Sequence, residues 1–101
     1  LNLPMGLYKP FSKYPFMLRD IAVWTQEGTE KDELLQLIVN EAGELLVKTK
    51  LIDEFTKEGR TSYAYRLVFQ SYEKTLSDEE INVIMDRVTD SLNTKEGWEV
   101  R

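Results

Sequence analysis

The chain has 101 residues, 42% of them hydrophobic, and a formal net charge of −5. That is the size of one domain with one core. It contains neither cysteine nor histidine, which excludes disulfides, thiolate chemistry and the commonest general base and metal ligand. No apolar run approaches the roughly 20 residues of a membrane-spanning helix. The opening LNLPMG has neither an initiator methionine nor the layout of a signal peptide, and reads as part of a longer chain.

Residues 1–18 hold all three prolines, Pro4, Pro10 and Pro15. We expect an extended lead-in there, anchored through Phe11, Tyr14 or Phe16, and a domain over 19–101. RDIAVWT (19–25) alternates, with Ile21 and Val23 on one face and Asp20, Ala22 and Trp24 on the other, as a half-buried strand does. QEGTEKDELL then turns into a helix with Thr29 as expected N-cap and acids in its first turn. Leu34, Leu35, Ile38, Ala42, Leu45 and Leu46 form its apolar stripe. Gly43 inside the stripe reads equally as a close helix–sheet approach or a plain kink.

KTKLIDEFT (48–56) reads as an edge strand, because neither face is cleanly apolar: Leu51, Asp53 and Phe55 share one, Ile52 and Glu54 the other. KEGR turns the chain into TSYAYRLVFQS (61–71). Here Tyr63, Tyr65, Leu67 and Phe69 alternate with Ser62, Ala64, Arg66 and Val68, giving the most apolar strand face and a central place in a sheet. Ser77 followed by Glu80 is a capping box, and Ile81, Ile84, Met85, Val88 and Leu92 follow at helical spacing. WEVR (98–101) closes as a short strand.

The order β-α-β-β-α-β predicts an α+β fold. Two helices bury their stripes on one face of a four-stranded antiparallel sheet, and right-handed crossovers make this the ferredoxin-like βαββαβ sandwich. The other face is left open. As read from the sequence, the helices carry ten acids and two bases, and the remainder eleven bases and eight acids. The sheet and loops are thus mildly basic, as a surface facing phosphate would be.

That face suits a flat aromatic ligand. Ala22 and Ala64 side by side leave a shelf, and Phe55 offers a stacking surface. Asp53 accepts hydrogen bonds from adjacent donors such as those of guanine, Ser62 donates or accepts, and Arg66 meets phosphate or stacks. On the residues alone, a simply solvated face is the preferred reading. SDEE (77–80) reads as helix capping rather than a metal site, and no nucleophile triad or glycine-rich phosphate loop is present.

YPFMLRDIAV (14–23), GRTSYAYRLVFQS (59–71) and KTLSDEEINVIMDRV (74–88) together resemble the ferredoxin-fold anticodon-binding domain that closes the β subunit of bacterial phenylalanyl-tRNA synthetase. The resemblance runs from about Tyr8 to Arg101. It implies a non-catalytic RNA-binding module that receives the anticodon stem-loop of tRNA(Phe). The first anticodon base would lie between Phe55 and the small Ala22 and Ala64, with Asp53 and Ser62 as polar partners and Arg66 and Lys74 as cations. It further implies a parent α2β2 synthetase in the cytoplasm, with the rest of the β subunit and the α subunit as partners and no membrane. ATP and magnesium would serve the parent, with no cofactor in this domain. Phe55 stands where the family usually has tyrosine, Glu54 where it has an apolar residue, Tyr72 where it has proline and Lys74 where it has arginine. Arg19 reads as structural. The alternative function is a ferredoxin-like protein-interaction or small-ligand-sensing module docking on Trp24, Phe55 and Val68.

Overall fold

The computed structural model describes residues 13–101. Of the expected lead-in over 1–18, residues 1–12, with Phe11, lie outside the described residues, and its last two, Met17 and Leu18, already belong to the first strand. The elements run β1 (Met17–Gln26), α1 (Lys31–Ala42), β2 (Leu46–Lys57), β3 (Arg60–Phe69), α2 (Asp78–Asn93) and β4 (Glu99–Val100). The sheet order is β2-β3-β1-β4, with every neighbouring pair antiparallel. This is the expected ferredoxin-like sandwich, with β1 and β3 central and β2 at an edge.

The alternation in β1 and β3 explains the layering. Ile21, Val23, Tyr63, Tyr65, Leu67 and Phe69 point to one side and are buried against Leu34, Ile38 and Ala42 of α1 and Ile81, Ile84, Val88 and Leu92 of α2. Each fully buried aliphatic side chain contributes about 1.5–3 kcal/mol. Thr25 enters this layer by donating its hydroxyl to the Thr61 carbonyl at 3.0 Å, so its burial leaves no unmet donor.

Helix α2 begins as its sequence predicts. The Glu80 amide donates to Ser77 Oγ at 3.1 Å, and the Ser77 amide donates to Glu80 Oε1 at 3.0 Å. Helix α1 departs from the expectation at both ends. Its N-cap is Glu30, whose side chain makes no capping bond, while the Thr29 amide is spent on the Gln26 carbonyl. At the other end Gly43, at φ 82°, stops the helix and donates its amide to the Val39 carbonyl. Gly43 is therefore neither a packing contact nor a kink. It takes the backbone conformation that costs other residues most. Leu45 and Leu46 leave the helix with it, yet still pack on the core, Leu45 from the turn and Leu46 from the start of β2.

The sheet edges decide what the open face can be. β2 spans two residues more at its start than expected, and one more at its end. It carries register shifts between Leu46 and Lys48 and between Leu51 and Asp53. A bulge and edge lysines discourage pairing with another chain. The β2–β3 turn places Glu58 at φ 53° and Gly59 at φ 78°, the two left-handed residues of a tight hairpin. On the opposite edge Gly97, at φ 82°, packs against the Gln26 side chain where a Cβ would collide. The chain there turns into β4, which brings Arg101 back across the sheet.

Candidate nucleic-acid interface

The register lines up the open face in rows. Trp24, Ser62 and Phe55 form one row, Ala22, Ala64 and Asp53 the next, then Asp20, Arg66 and Lys50, then Leu18, Val68 and Lys48. Ala22 and Ala64 are direct partners, so the shelf expected from two small side chains is present, with Asp53 beside it and Phe55 on the neighbouring row. Neither helix covers this face.

One assignment in β2 is corrected. Leu51 does not share a face with Asp53 and Phe55. The bulge at Ile52 puts Leu51 opposite Tyr65, toward the helices, and Asp53 opposite Ala64, toward the open side. Glu54 turns to the helix side, where it lies 3.9 Å from Lys31 of α1. The same shift brings Lys48 and Lys50 onto the open face. Period-two reading of the strand missed them, because one extra residue inverts every side chain beyond it.

The charge map changes in detail. With the observed ends, the helices carry eight acids and two bases, because Glu30 and Glu44 lie outside them. The contrast between helices and remainder is thus smaller than expected. The open face itself is basic. Following the register, it presents Lys48, Lys50, Lys57, Arg60, Arg66 and Arg101 against Asp20, Asp53 and Glu99. Three of those bases are engaged. Arg66 grips Asp20 through two hydrogen bonds of 2.8 and 3.0 Å. The bond from Arg66 holds the Asp20 carboxyl below its usual range, and the same contact raises Arg66. Arg60 reaches Glu99 at 3.2 Å and lies 4.8 Å from the Trp24 ring centre.

Arg101 is a further residue that sequence reasoning missed. Its guanidinium carbon lies 5.4 Å from the Trp24 ring centre and 5.3 Å from that of Phe55. Its Nη1 donates to Ser62 Oγ at 3.1 Å, and its backbone amide donates to the Ala22 carbonyl at 2.8 Å. Trp24 and Phe55 meet edge to face at 5.3 Å. Ser62 is consequently only 1% exposed. The one sequence signal for Arg101 was its parity with Glu99 in the closing strand.

Two further residues stand apart from this cluster. Lys74, expected as a cation for RNA, is in the loop before α2 and ion-paired with Glu80. Tyr72, 54% exposed, lines a cleft of about 330 Å³ with Val47 and Gln70, several residues along the sheet from Phe55. Arg19 bonds Asp78 at 3.1 Å and ties β1 to the start of α2, a structural contact. The apolar patch of the alternative reading is broken, since the Asp20–Arg66 pair lies between Val68 and the Trp24–Phe55 row.

A basic, aromatic-flanked sheet face with both helices behind it defines a class: a sheet-surface binding module of ferredoxin-like fold. Residues 12–101 match the ferredoxin-fold anticodon binding domain, and the chain belongs to that family. It is 40% identical over 96 residues to the chloroplastic/mitochondrial phenylalanine–tRNA ligase of Arabidopsis thaliana, covering 93% of this chain and 22% of that protein. It is 36% identical over 102 residues to the mitochondrial phenylalanine–tRNA ligase of Saccharomyces cerevisiae, covering 93% and 22%. With the phenylalanine–tRNA ligase β subunit of Symbiobacterium thermophilum it shares 36% over 94 residues, covering 89% of this chain and 10% of that subunit. The chain thus spans about a fifth or less of these relatives. The family is defined by anticodon binding, and among the described residues no group of three or more acids is placed to hold a metal ion. No helix among them is long and apolar enough to cross a membrane.

Proposed function

We propose that this chain is the anticodon-binding domain of a phenylalanine–tRNA ligase. It grips the anticodon stem-loop of tRNA(Phe) so that aminoacylation proceeds elsewhere in the parent enzyme, with ATP and magnesium used there. The observation that carries this reading is the Ala22–Ala64 shelf beside Phe55 and Asp53, on an open basic face, in a member of this family. An unstacked base lies on the shelf, the Phe55 ring stacks on it and Asp53 accepts from its donor edge. Lys48 and Lys50 meet the phosphates. The remaining β subunit and an α subunit complete an α2β2 parent in the cytoplasm.

The test is titration of a tRNA(Phe) anticodon stem-loop at low salt, followed by anisotropy, against a stem-loop of unrelated anticodon. Preference for the first is expected. Equal affinity for both overturns the specificity. Phe55→Ala is expected to weaken binding by about 1–3 kcal/mol, and an unchanged affinity removes the stacking role.

One observation favours a second reading of the parent alone. The 40%-identical relative is an organellar ligase, of which the chain spans 22%, against 10% of the bacterial β subunit. The mass of the native polypeptide separates the two, because this domain makes up about a fifth of one kind and a tenth of the other.

A further inference from the structure

Ser62 stands on the sheet face that neither helix covers, yet it is 1% exposed. Its cover is made of side chains. Trp24 from β1 and Phe55 from β2 close over it edge to face, and Arg101 fills the remaining gap. The Arg101 guanidinium touches both rings and donates to Ser62 Oγ at 3.1 Å. Its backbone amide, bonded to the Ala22 carbonyl, holds the residue next to the alanine shelf.

We propose that Arg101 is an internal stand-in for the incoming base, holding its seat in the free domain and leaving when the base arrives. This rests on the reading that the face receives an unstacked base. The match is chemical. A guanidinium is planar and delocalised, stacks on aromatic rings and carries N–H donors in its plane. The donor edge of guanine is built the same way, with a ring N–H and an exocyclic amino group on one carbon. Arg101 meets both requirements at once, with ring faces above and the Ser62 acceptor beside it. A base and Arg101 cannot both stack on Phe55 and bond Ser62.

The exchange also sets selectivity. A ligand that brings only phosphate charge recovers neither the ring contacts nor the Ser62 bond, so it leaves the cap in place. A base with a flat face and adjacent donors replaces both. The released guanidinium is then a free cation beside the ligand's backbone. Cation–π contacts at exposed sites are weak enough to be exchanged in this way.

The experiment compares the domain with Arg101→Ala by NMR titration, using guanosine as an uncharged probe so that loss of the cation does not mask loss of the competitor. R101A is expected to bind guanosine about two- to fivefold tighter, the range of one surface cation–π contact, with shifts at Ser62, Ala64 and the Trp24 indole. R101A binding guanosine no tighter than the parent, or not at all, overturns the proposal. In the stem-loop complex the Arg101-to-ring NOEs are expected to vanish; their persistence overturns it as well. Failure to discriminate between stem-loops would instead count against the anticodon reading, and the guanosine arm is independent of it.

Discussion

Arg66 donates two parallel hydrogen bonds to Asp20 across the β1–β3 ladder, from Nε at 2.8 Å and from Nη2 at 3.0 Å. The pair sits one row from the Ala22–Ala64 shelf. A guanidinium committed to a carboxylate in both fork positions has little left for a phosphate. Asp20 therefore restrains the most central cation of the face. Asp20→Asn is expected to tighten stem-loop binding at low salt, several-fold, and to steepen the log K against log[salt] slope by about 0.7, one added phosphate contact on a single strand. The fold should be little affected, since an exposed ion pair is worth about 0–1 kcal/mol. An unchanged slope would mean that Arg66 does not reach the RNA.

Lys48 and Lys50 line the β2 edge of the same face, and Lys50 is level with Arg66. Phosphate contacts position a strand without reading its sequence. The double variant Lys48→Gln, Lys50→Gln is expected to flatten the salt slope by about 1.4, twice the single-strand value per contact. Its preference for the cognate stem-loop over an unrelated one should be kept. A changed preference with an unchanged slope would place the lysines in base recognition instead.

The missed lysines show where sequence reading stops. The alternation of β1 and β3 was plain because both strands are central and bury one whole face, so each residue type reports its side. The Ala22, Ala64, Asp53 and Phe55 constellation followed from that alternation and the family resemblance. β2 is an edge strand with two register shifts, and its composition says nothing of a bulge at Ile52. The faces of Leu51, Lys48 and Lys50 were therefore read wrongly or not at all. Gly43 misled for a related reason: the core takes Leu45 from the turn and Leu46 from the strand as readily as it takes Ala42 from the helix. Arg101 was invisible because its role arises only when Gly97 turns β4 against β1 and two aromatic rings from other strands meet it.

Glu58 offers a test of the hairpin that aims Phe55. It occupies the left-handed region at φ 53°, followed by Gly59 at φ 78°. A glutamate there carries a backbone cost of about 1–2 kcal/mol, which asparagine partly escapes. Asn-Gly is also the preferred pair for this turn. Glu58→Asn is expected to raise stability by about 0.5–1 kcal/mol in urea denaturation, with stem-loop affinity unchanged. Destabilisation would show that the Glu58 side chain contributes more than its backbone conformation costs.

The start of α2 should make stability depend on acid. The ion-paired contact from Lys74 acts first, and with the Ser77 amide and hydroxyl it holds the Glu80 carboxyl down at about 2, from 4.5. A carboxylate depressed on folding stabilises the folded state fully above its unfolded value, and that contribution fades as pH falls through the folded one. The window is thus pH 4.5 down to about 2. Glu80→Gln keeps a capping-box geometry but removes the charge. Its stability is expected to fall less steeply than that of the parent across this window, measured by thermal melts at stepped pH. Identical slopes would mean that neither Lys74 nor Ser77 holds the Glu80 carboxylate in solution as it does in the structure.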